Sequence, residues 1–146
     1  MTFYLLRHGA YNEGEEVLNQ RGLNQTKAAL DYLNEKVTRP TIISSKGPRS
    51  QQTASFLAEE FRGTAKIVNW LDKPKENQNL DIDLILNRIK NTSTSTPILV
   101  TNGEFIYQFV KQLSEDRETE NPLSPLVKGE VMLCEVCDES IQVEYF

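Results

Sequence analysis

The sequence predicts an α/β fold of three layers, in which helices cover both faces of a largely parallel central sheet with an antiparallel edge. Short apolar runs alternate along the chain with segments whose apolar residues recur every three or four positions. The apolar runs end at turn-forming or polar residues, as buried parallel strands do. The chain has 146 residues, enough for one sizeable core, so we expect a single domain over residues 1–146.

Four apolar segments are predicted to form the parallel strands. Phe3–Leu6 and Thr41–Ser44 are short buried runs, and Ala65–Asn69 is a weaker one. Pro97–Thr101 is the fourth, and an Asn-Gly pair ends it. Each of these strands is followed by a helical pattern, which is typical of parallel sheets.

The end of the sequence predicts a β-hairpin that forms the antiparallel edge. Glu130–Cys137 and Ile141–Tyr145 are rich in strand-forming residues and flank the turn residues 138–140. Cys134 and Cys137 have a C-x-x-C spacing, but a strand places them on opposite faces. Four nitrogen or sulfur ligands are not found nearby, so we interpret both as ordinary strand cysteines and expect no metal site.

Four helices are predicted between the strands. The first begins with Asn19 as its N-cap and ends before Pro40, and the second begins near Arg49. The third covers Asp81–Lys90, and the fourth follows Gly103. Each helix has an apolar stripe that we assign to the core. The stripe residues are Leu23, Leu30, Leu33 and Val37 in the first helix, Ala54, Leu57, Ala58 and Phe61 in the second, Ile82, Ile85, Leu86 and Ile89 in the third, and Phe105, Ile106, Phe109, Val110 and Leu113 in the fourth.

Charge and hydropathy exclude several classes of function. The chain carries 16 basic and 21 acidic residues, a net charge of −5 that repels nucleic acids and anionic membranes. No apolar run approaches the roughly 18 residues of a membrane helix. The apolar run near the amino terminus is too short for a secretory signal, so we expect a cytoplasmic protein. An anionic ligand must therefore be bound by a local cluster of cations.

Functional side chains follow three of the predicted parallel strands. Arg7-His8-Gly9 follows the first strand, a loop that reaches Arg49 follows the second, and Asn102-Gly103-Glu104 follows the fourth. Because the carboxyl ends of parallel strands border the ligand crevice, we expect these residues to converge. Two guanidinium groups and the free N–H groups of a helix amino terminus suit a phosphoryl group. A neutral imidazole among them can attack phosphorus and hold the phosphoryl group as a phosphoramidate.

Four motifs in a fixed order link the chain to a known family. They are Leu6-Arg7-His8-Gly9, the segment 18–25 (LNQRGLNQ), the segment 44–54 (SSKGPRSQQTA) and the segment 98–106 (ILVTNGEFI). With them the chain resembles the histidine phosphatase, or phosphoglycerate mutase-like, superfamily from end to end. Its brevity is similar to that of the small bacterial phosphohistidine phosphatases of this superfamily.

The resemblance implies a role for each matching residue. His8 of the RHG motif is expected to be the phosphorylated nucleophile, and Arg7 and Arg49 are expected to bind the phosphoryl oxygens. Asn12 lies where many relatives have a polar residue that reaches the phosphate. The predicted phosphate-binding residues are Arg7, Gly9, Asn12, Arg49, Asn102 and Gly103. We expect no metal or organic cofactor, because two arginines and a helix terminus can balance the charge of a phosphate.

The sequence departs from the family pattern at Asn102, where relatives have a second histidine. His8 is the only histidine of the chain. An asparagine amide donates a hydrogen bond but carries no charge, and the loss of one such preorganised group typically costs about 10²–10³ in turnover. Asparagine is also a good N-cap, and both roles are compatible at this position.

Two functions therefore remain open. One is a phosphatase of reduced activity that hydrolyses a phosphohistidine or a small phosphomonoester through phospho-His8. The alternative is an inactive pseudo-phosphatase that binds a phosphorylated small molecule or protein. In either case we expect neither a nucleic acid nor a membrane as partner.

Three carboxylates are candidates for the general acid that protonates the leaving group. Many relatives place this acid between the second and fourth strands, where Asp72 and Glu76 lie. Glu104, in the first turn of the fourth helix, is the third candidate. The resemblance to the smallest relatives, which act on phosphohistidine, implies that this acid can be dispensed with. A protonated imidazole leaves more readily than an alkoxide.

Overall fold

Strands and helices alternate along most of the chain. The computed structural model describes residues 1–92, 95–115, 117–119 and 123–146, which form seven strands and four α-helices. In chain order the elements are β1 (Thr2–Arg7), α1 (Gln20–Lys36), β2 (Thr41–Ser44), α2 (Pro48–Glu60), β3 (Ala65–Ile67), α3 (Ile82–Asn91), β4 (Pro97–Thr101), α4 (Gly103–Glu115), β5 (Glu118–Thr119), β6 (Val131–Val136) and β7 (Ser140–Tyr145). Among these residues, no helix has both the length and the apolar character needed to cross a membrane.

The strands form one mixed sheet in the order β3-β2-β4-β1-β6-β7-β5. The first four strands of this order pair in parallel, whereas β6 is antiparallel to β1 and to β7. The predicted α/β class, with a largely parallel sheet and an antiparallel hairpin at one side, is confirmed. The sequence pattern does not predict β5, a two-residue strand that pairs in parallel with β7 at the edge.

Each face of the sheet has its own hydrophobic core. Successive side chains of a strand alternate between the faces, so Phe3 and Leu5 of β1 lie on one face and Tyr4 and Leu6 on the other. The first pair packs in a cluster with residues of α3 and α4, and the second pair packs with residues of α1 and α2. The helices therefore cover both faces, as the three-layer prediction requires. The apolar stripes predicted for α3 and α4 are buried at every position.

Helix α1 begins where predicted and buries Leu30 and Leu33 of its predicted stripe, but not Leu23. Asn19 is its N-cap, and its side chain accepts a 2.9 Å hydrogen bond from the Gly22 N–H. Leu23, predicted in the core, is only partly buried, whereas Gly22 and Thr26 are buried. The reason is a close backbone approach, since a Cβ at Gly22 would clash with the carbonyl oxygen of Ala10. The helix turns this small residue, and not Leu23, toward the loop that follows β1.

Two strands end earlier than predicted. β3 ends at Ile67 because the chain turns soon afterwards, where the Asp72 N–H donates to the Asn69 carbonyl at 3.1 Å. β6 ends one residue before Cys137, which is exposed, whereas Cys134 is buried within β6. Both cysteines are free, and burial raises the pKa of the Cys134 thiol.

The carboxyl ends of β1, β2 and β4 meet at one edge of the sheet. Arg7 is level with Thr101 in the β1–β4 register, and Ser44 is level with Val100 in the β2–β4 register. Just beyond β1, the His8 N–H donates to the Thr101 carbonyl at 3.1 Å. The loops that leave these strands therefore start side by side.

Candidate active site

A cavity of about 500 Å³ opens at this edge of the sheet. Its wall combines the end of β1, the loop before α2, the loop after β3 and the first turn of α4. The predicted site residues in this wall are Arg7, His8, Arg49, Asp72, Asn102 and Glu104. The structure thus brings together side chains that are nearly a hundred positions apart in the sequence.

His8 is buried in the cavity wall with one ring nitrogen engaged. Its Nδ1 lies 3.0 Å from the carbonyl oxygen of Gly9, and only 5% of the residue is exposed. Because a carbonyl can only accept, Nδ1 carries the proton of the neutral ring and Nε2 keeps a lone pair. Burial lowers the pKa of His8 below its usual value, and the charges of Arg7, Arg49 and Lys128 lower it further, which outweighs the opposite effect of the Gly9 hydrogen bond. The ring is therefore neutral at pH 7.

The Arg7 side chain is held between α4 and the segment that precedes β6. Its Nη1 donates to the Leu126 carbonyl at 2.9 Å. A Cβ at Gly103 would lie 2.7 Å from the Arg7 Cζ, so the guanidinium group lies directly against the first residue of α4. The buried Nε of Arg7 has no hydrogen-bond partner among the described residues. Guanidinium nitrogens act only as hydrogen-bond donors, so this N–H lacks the acceptor that it needs.

Arg49 is held by a backbone carbonyl and an aromatic ring. Its Nε and Nη2 donate to the Glu15 carbonyl at 3.1 and 2.7 Å. Its Cζ lies 3.4 Å from the centre of the Tyr11 ring, a cation–π contact. These hydrogen bonds leave the Nη1 group of Arg49 for a ligand in the cavity.

Asn102 acts as the N-cap of α4, as the sequence predicts. Its Oδ1 accepts a 2.8 Å hydrogen bond from the Phe105 N–H. Its Nδ2 is 3.4 Å from the Thr101 Oγ1, a long and weak contact. Thr101 in turn donates to the Leu71 carbonyl at 2.6 Å. The amide N–H of Asn102 is thus the part of this side chain that is open to a ligand.

Gly9 and Asn12, both predicted to bind phosphate, are not among the residues that line this cavity. The backbones of Gly9 and Gly22 meet closely, since a Cβ at Gly9 would lie 2.5 Å from the Gly22 carbonyl oxygen. Asn12 is exposed, accepts a hydrogen bond from Asn19 at 3.1 Å and donates a longer one to Glu15 at 3.4 Å. In this structure both residues support the loop after β1. Gly103 also lies outside this wall, in that of a neighbouring cavity.

The three candidate acids occupy different places. Asp72 lines the His8 cavity, and its Oδ1 accepts a 2.7 Å hydrogen bond from the Lys46 N–H. Glu104 lines it too and forms a 3.6 Å ion pair with Lys73 at the surface. Glu76 lines the neighbouring cavity of about 700 Å³, which shares three wall residues with the His8 cavity.

Sequence reasoning missed two residues next to His8. The Tyr11 ring centre lies 5.6 Å from that of His8, and the Lys128 Nζ lies 4.3 Å from the Tyr11 ring. No periodicity connects Lys128 to the RHG motif, which is 120 positions away in the chain. The one local signal is Gly129, whose φ of +80° marks a tight turn that holds Lys128 in place.

No protein-family model and no curated protein sequence matches this chain. Solved structures do match it over nearly its whole length. A mycobacterial glucosyl-3-phosphoglycerate phosphatase, solved with VO3, has a TM-score of 0.72 at 16% identity and covers 98% of this chain and 96% of its own. The protein histidine phosphatase SixA, solved with tungstate, has a TM-score of 0.72 at 15% identity, over 99% of this chain and 94% of its own.

A third similar structure comes from Entamoeba histolytica. It is a phosphoserine phosphatase in complex with 3-phosphoglyceric acid, with a TM-score of 0.74 at 12% identity, over 99% of this chain and 95% of its own. These structures are members of one superfamily, the one that the four motifs predict. Identities of 12–16% establish the fold and not the activity. The chain therefore has the fold of the histidine phosphatase superfamily.

Proposed function

We propose that this protein is a phosphatase that transfers a phosphoryl group first to His8 and then to water. The observation that carries the proposal is a buried, neutral His8 whose Nδ1 is held by Gly9 and whose Nε2 is unprotonated. A nucleophile needs this protonation state, and an imidazole supplies it at neutral pH only when its pKa is not raised.

The first step forms a bond between Nε2 of His8 and phosphorus. The bond between phosphorus and the leaving group breaks, and its electron pair goes to the leaving oxygen or nitrogen. The guanidinium groups of Arg7 and Arg49 and the amide of Asn102 bind the phosphoryl oxygens while charge develops on them. Water then attacks phosphorus, the bond to Nε2 breaks, and its electron pair returns to the ring as inorganic phosphate leaves.

The substrate class that fits this site is a phosphohistidine or a small phosphomonoester. An alkoxide leaving group needs a proton, and Asp72 and Glu104 are better placed to donate it than Glu76 because they line the same cavity as His8. A phosphohistidine needs no such acid when its imidazole is protonated. The similarity to SixA, a protein histidine phosphatase, supports a phosphohistidine substrate, and the similarity to the mycobacterial enzyme supports a small phosphomonoester.

A second candidate function is a binding protein that recognises a phosphorylated ligand without turnover. Asn102 favours it, because its Oδ1 is committed to the Phe105 N–H and its amide brings no positive charge to the cavity. Arg7, Arg49 and the amino terminus of α4 can still bind a phosphate without that charge. Binding therefore survives the substitution better than catalysis does.

Intact-mass spectrometry over time distinguishes these two functions. The protein is incubated with acetyl phosphate, a small reactive phosphoryl donor, beside a His8→Gln variant. We expect the wild type to gain one phosphoryl group that is then lost, and the variant to gain none. A label that persists shows that attack is intact and hydrolysis is not, and no label with retained phosphate binding identifies the binding protein. Equal labelling of the His8→Gln variant contradicts the proposed mechanism.

A further inference from the structure

A third cavity, which is basic, shares Tyr11 with the candidate active site. It has a volume of about 440 Å³, and Arg7, Arg21 and Lys128 are in its wall. Its remaining wall residues are uncharged, so among the described residues it carries three cations and no carboxylate. The chain as a whole has a net charge of −5. Such a local excess of cations creates a positive potential that attracts anions.

The cations of this cavity are available to a ligand. Arg21 is exposed in the first turn of α1, and no described residue forms a hydrogen bond or an ion pair with its side chain. Lys128 is half-buried, its Nζ lies 4.3 Å from the centre of the Tyr11 ring, and no described residue forms a hydrogen bond or an ion pair with it. Neither Arg21 nor Lys128 is neutralised by an ion pair with a described carboxylate, a property that they share with most cations of this chain.

Lys128 is held in place by the backbone next to it. The Gly129 N–H donates to the carbonyls of both Arg7 and His8, each at 3.1 Å. On its other side, Gly129 packs against the side chain of Gln25, where a Cβ would lie 2.5 Å from the Gln25 Cβ. The turn that carries Lys128 is therefore fixed between the end of β1 and α1. A fixed cation loses less conformational freedom on binding than a mobile one does.

The two cavities share part of their walls. Arg7 and Tyr11 line both, so the cavity that contains Arg21 and Lys128 adjoins the one that contains His8. We propose that Arg21 and Lys128 form a second anion subsite, which binds a further phosphate or carboxylate group of the molecule whose phosphoryl group occupies the His8 cavity. That a phosphoryl group occupies the His8 cavity rests on the proposed function.

Titration calorimetry with phosphonates tests the subsite without any turnover. The probes are 1,3-propanediphosphonate, 3-phosphonopropionate and propylphosphonate, which share a chain length and differ in the second anionic group. We expect the two doubly anionic probes to bind about tenfold more tightly than propylphosphonate. Arg21→Gln and Lys128→Gln should each remove about fivefold or more of that preference. Arg21→Gln, which is not next to His8, should also leave the affinity for propylphosphonate within about twofold.

Lys27→Gln is the matched control, because Lys27 is an exposed cation of the same helix that lines none of the three cavities described above. It should leave all affinities unchanged. The subsite is refuted if both doubly anionic probes bind no more tightly than propylphosphonate, or if Lys27→Gln weakens them as much as Arg21→Gln does. The latter result would mean that only the overall charge matters.

Failure of the subsite and failure of the proposed function give different results. Loss of the anion preference in Arg21→Gln, in a protein that never forms phospho-His8, supports the subsite and rejects the phosphatase. Normal turnover without any anion preference supports the phosphatase and rejects the subsite.

Two peptides with phosphohistidine, one followed by glutamate and one by glutamine, then identify the source of the second anion. A preference for the glutamate peptide that Arg21→Gln abolishes assigns it to a protein substrate, whereas a preference confined to the small probes assigns it to a small molecule.

Discussion

The carbonyl oxygen of Gly9 lies 3.0 Å from Nδ1 of His8 and accepts a hydrogen bond from it. A residue of the RHG motif thus fixes the tautomer of the residue before it. The same glycine packs on Gly22, so the position of this carbonyl depends on a contact between two backbones. The chemistry of the imidazole is in this way tied to the packing of α1 against the loop after β1.

The pKa of His8 should lie below the ordinary value of about 6.5. The chain has a single histidine, so its ring C–H signals are directly assignable in a proton NMR titration. Addition of inorganic phosphate should raise the midpoint, because a bound dianion favours the imidazolium form. A midpoint at or above 6.5 in the free protein would contradict the burial and the neighbouring charges seen here.

The same shift predicts how stability depends on pH. A histidine whose pKa is lowered by folding takes up a proton on unfolding at pH values between its folded and unfolded pKa. The wild type should therefore lose stability as the pH falls below about 6.5, the pKa of this histidine in the unfolded state. Above that pH, the titration of His8 should no longer change the free energy of unfolding. Urea unfolding at pH 7.5 and pH 5 should show a smaller loss in His8→Gln than in the wild type. Equal losses would show that His8 does not contribute.

Gly22→Ala should destabilise the protein by about 1–3 kcal/mol, because its Cβ would clash with the Ala10 backbone in a close-packed contact. Gly63→Ala is the matched control, since a Cβ at Gly63 meets no atom within 4 Å. It should change the free energy of unfolding by no more than about 0.5 kcal/mol. Urea denaturation measures both. Similar effects of the two substitutions would argue against the close approach of α1 to the loop.

Gly103→Ala should separate ligand binding from stability. The added Cβ would lie 2.7 Å from the Arg7 Cζ, so the guanidinium group has to move. We expect about a tenfold loss of phosphate affinity, the equivalent of one weakened charged hydrogen bond. The free energy of unfolding should change by no more than about 0.5 kcal/mol, because the atoms that have to move are the far end of a flexible side chain. Calorimetry with inorganic phosphate and thermal unfolding measure the two effects, and an unaltered affinity would mean that Arg7 does not hold the ligand.

Asn102→His should accelerate the hydrolysis of a phosphorylated substrate by about 10²-fold or more, because an imidazolium adds positive charge where the asparagine amide has none. It should also cost about 1 kcal/mol of stability, since histidine is a poorer N-cap and the hydrogen bond to the Phe105 N–H is lost. Steady-state kinetics and urea unfolding test both parts. A rate that does not increase would show that the uncharged amide is not what limits turnover.

Sequence periodicity predicted where most strands and helices lie, because their positions depend on the local pattern of apolar residues. The runs of β2 and β4 were predicted with their observed ends, because a buried strand needs an uninterrupted apolar stretch and turn residues after it. The convergence of Arg7, His8 and Arg49 followed from the geometry of parallel strands.

The features that sequence reasoning missed depend on contacts between distant segments. Lys128 reaches Tyr11 only because the turn at Gly129 is bonded to the end of β1. Leu23 was assigned to the core from its apolar character, but at this end of α1 the residue in close contact with the loop after β1 is Gly22, and Leu23 stays partly exposed. Neither the turn nor the contact leaves a periodic signal in the sequence.

The position of β1 at the centre of the sheet sets an order of events during synthesis. β1 is the first of these strands to leave the ribosome, yet both of its partners, β4 and β6, are translated much later. Its apolar residues, such as Phe3 and Leu6, therefore stay unpaired in the nascent chain until most of the protein has emerged. Pairings so distant in sequence are slow to form, and such exposed strands are prone to aggregate. Chaperone capture of partly translated chains is the cellular consequence to expect.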